Sequence, residues 1–310
     1  MNRYTDNPSF GSDGSLKKPI PRIAAVHDIS CLGRCALTVI IPVISAMGLQ
    51  AVPLPTALLS THTGGFENMF FADLTHHMGK IASHWKSIGT DFDAIYSGFL
   101  GSAEQIDTLV GFIKDFSVKN DGKRSFIFVD PVMGDDGELY STYDKALMLG
   151  MNRLCYGADL ITPNLTEACF LTDEKYPDNP PSDSEGRDMA GYLAKKLIEK
   201  FGCKRTVVTG VVTESGNGRS VLTVACEKNE NEVFTHSTPL MPRAYPGTGD
   251  VFASVLLGKI LSGGQFGESV GEASSFVAKV TELSQHYETP IRDGLVIEPY
   301  LHELSPKAPD

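Results

Sequence analysis

The chain has 310 residues, 42% of them hydrophobic, and a formal net charge of -11. That length can bury a large core, as one big α/β domain or two smaller ones. The acidic balance argues against nucleic acid or an anionic membrane as the main partner, because both reward clustered Lys and Arg. Residues 1–20, MNRYTDNPSFGSDGSLKKPI, are rich in Gly, Ser, Asn and Asp without apolar periodicity and read as a flexible tail. From Arg22 short β-rich runs alternate with longer amphipathic stretches. The predicted strands are RIAAVH at 22, QAVPLPT at 50, DAIYSGF at 93, SFIFVDPV at 125, ADLITPN at 158 and RTVVTGVV at 205. Most are nearly continuous apolar runs, as expected of strands covered on both faces. Helical periodicity falls over 36–47, 72–87, 102–118, 143–157, 164–172 and 185–201. Near 219 the rhythm changes: RSVLTVAC and EVFTHS flank EKNENE and predict a hairpin on the sheet edge. Two helices follow, near 250–262 and 266–287. No linker or internal repeat divides 21–310, which reads as a single domain with a mostly parallel sheet between helical layers.

The six cysteines are scattered, and only Cys31 and Cys35 are close together. No second Cys or His pair completes a zinc pattern, and a disulfide framework does not suit so long a chain, so a reducing compartment is expected. No apolar run is long enough to span a bilayer, and the N-terminus lacks the apolar core of a signal peptide. The expectation is a soluble cytoplasmic protein.

Open parallel sheets bind ligands at the carboxyl ends of their strands. Those ends carry His27 and Asp28, STHTGG (Ser60 to Gly65), SGFLGS (Ser97 to Ser102), DPVMGDDG (Asp130 to Gly137), TPNLTE (Thr162 to Glu167) and Thr209–Gly210. Each has a plain alternative. Asp130 before proline closes turns, and TPNLTE has the form of a helix-capping arrangement. Their recurrence at the ends of one sheet is harder to explain in that way. A P-loop, a G-x-G-x-x-G after the first strand, H-E-x-x-H, G-x-S-x-G and paired CxxC motifs are all lacking. Phosphate chemistry would have to use YPGTGD, Tyr245 to Asp250, which runs into the apolar VFASVLLGKIL. Glycines there let backbone amides approach a phosphate, and the helix adds the positive end of its dipole. Asp250 beside them could accept a proton from an attacking hydroxyl.

SGFLGSAEQ, DPVMGDDGELY, ADLITPNLTEA and YPGTGDVFAS, in this order, resemble the ribokinase-like superfamily and more closely its vitamin B6 branch, the pyridoxal/pyridoxamine kinases. The resemblance covers nearly the whole chain from Arg22. It implies a three-layer α/β/α fold with an edge hairpin and no separate lid domain. It also implies an ATP-dependent kinase acting on the 5'-hydroxymethyl group of pyridoxal, pyridoxamine or pyridoxine, in the salvage of this vitamin. Asp250 is similar to the family's catalytic base, and the amides of Gly247, Thr248 and Gly249 to its anion hole. Asp130 and Glu167 match acids that hold Mg-ATP, often through water; Thr162 and Thr209 match nucleotide-phosphate contacts. Asp28 and Thr63 match positions touching the pyridine ring, and a homodimer, with possible use of K⁺, belongs to the same resemblance. Segments 28–36 and 133–142 are expected to be loops covering the site.

Two positions depart from the family pattern: Asp28 stands where many pyridoxal kinases have Ser, and Thr209 where they have Lys. The alternative is a hydroxymethylpyrimidine kinase, or a bifunctional enzyme of thiamine synthesis, although those commonly read GTGC where this chain reads GTGD. A non-catalytic B6-binding protein is a third reading, against which stand Asp250, Asp130 and Glu167.

Overall fold

The computed structural model describes residues 19–140, 143, 145–216, 218–230 and 232–306. Residues 1–18 of the expected tail lie outside them. In chain order the elements are β1 (Arg22–Leu32), α1 (Leu37–Ala46), β2 (Gln50–Thr61), β3 (Phe71–Asp73) and α2 (Thr75–Ser87). Then come β4 (Ala94–Ser97), α3 (Ala103–Phe116), β5 (Phe126–Val129), β6 (Gly134–Asp135), β7 (Glu138–Leu139), α4 (Lys145–Cys155) and β8 (Leu160–Ile161). The chain continues through α5 (Leu165–Thr172), α6 (Asp183–Phe201), β9 (Arg205–Ser215), β10 (Gly218–Glu227), β11 (Val233–Pro239), α7 (Thr248–Leu261) and α8 (Phe266–Ser284), and ends in short 3-10 turns at Ile291–Asp293 and Glu298–Leu304.

Nine strands form one sheet in the order β11-β10-β9-β8-β5-β4-β1-β2-β3. The six strands from β9 to β2 run parallel, and the antiparallel strands lie at the two edges: β10 and β11 at one, β3 at the other. Side chains of successive strand residues leave opposite faces. Ala24 and Val26 of β1 enter the core beneath α2–α6, while Ile23 and Ala25 enter the core beneath α1, α7 and α8. On the second face Tyr96 and Phe128 stack at 4.7 Å, both fully buried. Each such aromatic contributes about 2–3 kcal/mol by leaving water. The expected α/β/α architecture is therefore what the residues build.

Four local expectations are corrected. The stretch expected as helix from 72 starts only at Thr75, because Phe71–Asp73 pairs antiparallel with Ala57–Leu59 as β3. Residues 28–32 are not loop but the end of β1, hydrogen-bonded to β2 as far as Leu32. The segment 133–142 contains the small β6–β7 hairpin, tied to α5 because the Asn164 amide donates to Gly134 O (2.8 Å) and the Gly137 N–H to Thr166 Oγ1 (2.9 Å). Finally, ADLITPN supplies only Leu160–Ile161 as strand, since the chain leaves the sheet at Pro163.

From β1 the chain goes to β2 on one side, but the next parallel strand, β4, joins β1 on the other. This reversal leaves a crevice at the carboxyl ends of β1 and β4. Two β-bulges interrupt the sheet. The β1–β2 register shifts between His27 and Ile29, at Asp28. The β9–β10 register shifts where Leu222 pairs with Val211 and Val224 with Val208, so Thr209 and Gly210 are the extra residues. Bulges re-aim side chains next to active sites; the first has its extra residue on β2, opposite Asp28, and the second holds Thr209 itself.

Candidate active site

Helix α7 approaches the crevice with its N-terminus. Its first residues follow Gly247, which has φ 83°. A Cβ at that position would stand 2.2 Å from the Arg34 carbonyl oxygen, so both the backbone conformation and the space require glycine. Ser102, Asn164 and Ser182 cap α3, α5 and α6, but no side chain caps α7. Its first-turn amides are therefore left for an external acceptor. At Gly249 an added Cβ would meet nothing within 4 Å, so the protein leaves open space beside the helix end.

Asp250, the third helical residue, turns its carboxylate to the segment after β1. Oδ2 accepts the Ala36 N–H at 2.8 Å and the Cys35 thiol at 3.5 Å. Asp28, on β1, is buried and accepts the Ser30 hydroxyl at 2.9 Å. Beyond β5, Asp130 is also buried and its Oδ1 accepts the Thr162 hydroxyl at 3.1 Å. Glu167 completes the capping box of α5: its Oε2 accepts the Asn164 N–H (2.8 Å), while Asn164 Oδ1 accepts the Glu167 N–H (2.9 Å). Its Oε1 reaches further, to the Met133 N–H (2.9 Å), and so fixes the start of the β6–β7 hairpin. The capping arrangement and the functional candidate are one residue.

Burial raises all four carboxyls, and a neighbour's charge raises three of them further. Burial pushes Asp28 up to about 6, with the charge of Asp250 adding to the rise and the Ser30 hydroxyl opposing it. Burial raises Asp250 as well, against the two hydrogen bonds to Oδ2. Asp130 is lifted by burial and then by Asp250, and Glu167 well above the usual range by burial and then by Asp130. Among the described residues no lysine or arginine acts on any of the four. A buried group of acids with no compensating cation disfavours its own ionised form. Such a site gains from binding a cation.

No cluster of three or more His, Cys, Asp or Glu that could cage a metal occurs among the described residues. Both Glu167 oxygens already accept backbone amides, whereas Asp130 Oδ2 accepts no hydrogen bond among the described residues. This donor set fits a magnesium ion held mostly by phosphate and water, with Asp130 and Glu167 in its outer surroundings.

The sequence-predicted residues Asp250, Gly247, Thr248 and Gly249 thus stand together at the α7 terminus. Asp28 and Asp130 face Asp250 electrostatically, and Asp130 links on to Glu167 and Thr162. Thr209 stands on its bulge, its N–H donating to Pro163 O (3.0 Å) and its backbone bridging to Asn164 beside the capping box. Thr63 is exposed on the loop after β2 and makes no hydrogen bond to the acids. Its neighbour His62 is the anchored residue, with Nε2 2.5 Å from the Arg292 carbonyl. Sequence reasoning missed Cys35 and Ala36, the two donors to Asp250. The only signal is the nearness of Cys31 and Cys35, which is set aside because no second pair completes a zinc pattern.

The sequence model of the phosphomethylpyrimidine kinase family matches residues 41–292. A protein from Bacteroides thetaiotaomicron, solved as a candidate phosphomethylpyrimidine kinase in a crystal form with pyridoxal, is 38% identical. The match covers 92% of this chain and 96% of that one, with a TM-score of 0.83. Pyridoxal kinase from Lactobacillus plantarum is 26% identical over 92% of this chain and 97% of its own, with a TM-score of 0.80. Pyridoxal kinase PdxY of Actinobacillus succinogenes is 28% identical over 260 residues, 78% of this chain and 82% of its own length.

Proposed function

The chain belongs to the phosphomethylpyrimidine kinase family, and from that premise we propose that it is a pyridoxal kinase of the ribokinase-like superfamily. It transfers the γ-phosphoryl group of ATP to the 5'-hydroxymethyl group of a B6 vitamer. The observation that carries this reading is the pairing of an uncapped helix N-terminus with the carboxylate of Asp250 on its first turn. The kinship with proteins named pyridoxal kinase, and with a relative crystallised with pyridoxal, supplies the substrate class.

In this mechanism Asp250 takes the proton of the 5'-hydroxyl as its oxygen attacks the γ-phosphorus. The new O–P bond forms as the β,γ-bridging P–O bond breaks, ADP leaves, and the proton returns to solvent. A carboxyl raised above the ordinary aspartate value is a better proton acceptor than a free one. The amides of Gly247, Thr248 and Gly249, with the helix dipole, stabilise the charge on the transferring group. Thr162 and Thr209 border the nucleotide side, and Asp28 and Thr63 the ring side. Asp130 and Glu167 would border a magnesium ion, which would supply neutralisation of phosphate charge. Potassium use, a homodimer and a cytoplasmic location complete the reading. The exposed Leu58, Phe70 and Phe71 along the β3 edge support the dimer, and no helix among the described residues is long and apolar enough to cross a membrane.

The family's description, phosphomethylpyrimidine kinase, gives weaker support to a second substrate class, hydroxymethylpyrimidine or its phosphate, of which the unphosphorylated form offers the same primary alcohol on a similar ring. ATP-dependent product formation on pyridoxal, pyridoxine, pyridoxamine and hydroxymethylpyrimidine, with Mg²⁺ and K⁺, separates the two. Turnover confined to the vitamers is expected. Equal or faster turnover of the pyrimidine overturns the assignment, and ligand binding without any turnover makes the protein a carrier.

A further inference from the structure

The segment Gly33–Ala36 is held more tightly than a covering loop requires. Gly33 adopts φ 104° against the His62 ring, where a Cβ would lie 3.1 Å away. The Arg34 N–H donates to Asp293 O at 2.9 Å, and its carbonyl packs where Cβ atoms at Gly247 and Gly294 would collide at 2.2 and 2.6 Å. The Arg34 guanidinium turns away from the site to Glu298, at 2.6 Å. Thr38 Oγ1 accepts the Cys35 N–H (3.3 Å) and lies 2.7 Å from the Cys35 carbonyl. Ala36 bridges to Ile29 and, although not glycine, takes φ 52°, a conformation that costs of order 1 kcal/mol. These constraints meet at one outcome: the Cys35 thiol and the Ala36 amide both point at Asp250 Oδ2. The other oxygen, Oδ1, accepts no hydrogen bond among the described residues.

We infer that Cys35 is a positioning residue for the general base: its thiol, with the Ala36 amide, locks Oδ2 of Asp250 and leaves Oδ1 to receive the proton of the acceptor hydroxyl. The inference rests on the reading of Asp250 as that base. A thiol is a weak donor, but this one stays protonated, because burial and then the charges of Asp250 and Asp28 push it well above its ordinary value. The other titratable groups facing Asp250 are Asp28 on β1, Tyr96 on β4 and Asp130 after β5. The charge of Asp250 raises each of these three, while Asp250 itself is raised by burial, which the Ala36 and Cys35 donors oppose. Deleting the thiol therefore raises Asp250 further and leaves its carboxylate freer to turn.

The test compares Cys35→Ala, Cys35→Ser and Asp250→Asn in the full chain, with pyridoxal, ATP and Mg²⁺ over pH 5–9. For Cys35→Ala, kcat at pH 7 should fall about threefold to thirtyfold, as for loss of one weak hydrogen bond to a charged acceptor. KM for both substrates should stay within about twofold, as expected of a thiol whose hydrogen bond goes to Asp250, and the acid limb of the kcat profile should move to higher pH. Cys35→Ser, which keeps a donor on the same Cβ, should restore kcat and return the limb. An unchanged kcat and acid limb in Cys35→Ala overturns the proposal. So does an equal loss in both Cys35 variants, which would mean that only the shape of the sulfur matters. Where Cys35→Ala melts early, the limb in Cys35→Ser decides alone: it must stay at or below its wild-type position. Normal turnover in Asp250→Asn overturns the base itself, whereas a dead Asp250→Asn beside a normal Cys35→Ala removes only the positioning role.

Discussion

Asp28→Asn should make the protein more stable at neutral pH, although it alters the substrate side of the site. Asp28 is 6% exposed, and burial lifts its carboxyl from the ordinary 3.8 to about 6. A group raised in the folded state adds stability that is fully present below its unfolded value and is lost as pH rises through its folded one. Here the loss falls between about pH 4 and pH 6, and above it the folded chain carries a charge worth about 3 kcal/mol of destabilisation. Water reaching the mouth of the crevice reduces this to about 1.5–3 kcal/mol. Asparagine keeps an oxygen for the Ser30 hydroxyl and replaces a negative charge facing Asp250 by an N–H donor. At roughly 2 °C per kcal/mol for a chain of this size, the variant should melt about 3–6 °C higher at pH 8 without nucleotide or divalent cation. The difference should vanish near pH 4. A difference independent of pH, or a lower melting temperature at pH 8, refutes the reasoning.

Two glycines of the cradle should respond oppositely. Gly247→Ala meets both the left-handed backbone and the Arg34 carbonyl, so calorimetry should show about 2–4 kcal/mol of lost stability together with lost turnover. Gly249→Ala, whose Cβ enters open space, should keep the melting temperature yet impair turnover by crowding the phosphoryl group. Glu167→Ala removes the acceptors of the Asn164 and Met133 amides and should cost about 2 kcal/mol in denaturant titration, reduced by relief of Asp130. Mg²⁺ should raise the melting temperature more at pH 8 than at pH 5, because Asp28 and Asp130, lifted to about 6 and about 7, are mostly protonated at the lower pH. An equal rise at both would count against the acid cluster as its site.

The sheet was legible because its inner strands are continuous apolar runs, and the α5 cap because Asn164 and Glu167 stand three residues apart. Short edge elements were not. Phe71–Asp73 has no period of its own, and only pairing with β2 makes it a strand. The end of β1 reads as loop because Asp28 and Ser30 are polar, yet both are buried at the bulge. The site's residues could be named from their strand ends, but their coupling could not. Cys35 and Asp250 are separated by 215 positions, and no local propensity predicts an alanine at φ 52°. On the loop after β2, no sequence pattern marks His62 as the residue anchored to the Arg292 carbonyl.

The central claim is tested most directly by transfer of the ATP γ-phosphoryl group to pyridoxal in a single turnover, wild type against Asp250→Asn, with calorimetric binding of both ligands. The account predicts unchanged binding and a rate at least about 100-fold lower, the loss expected of a general base. A rate near that of the wild type, with both ligands bound, would contradict it.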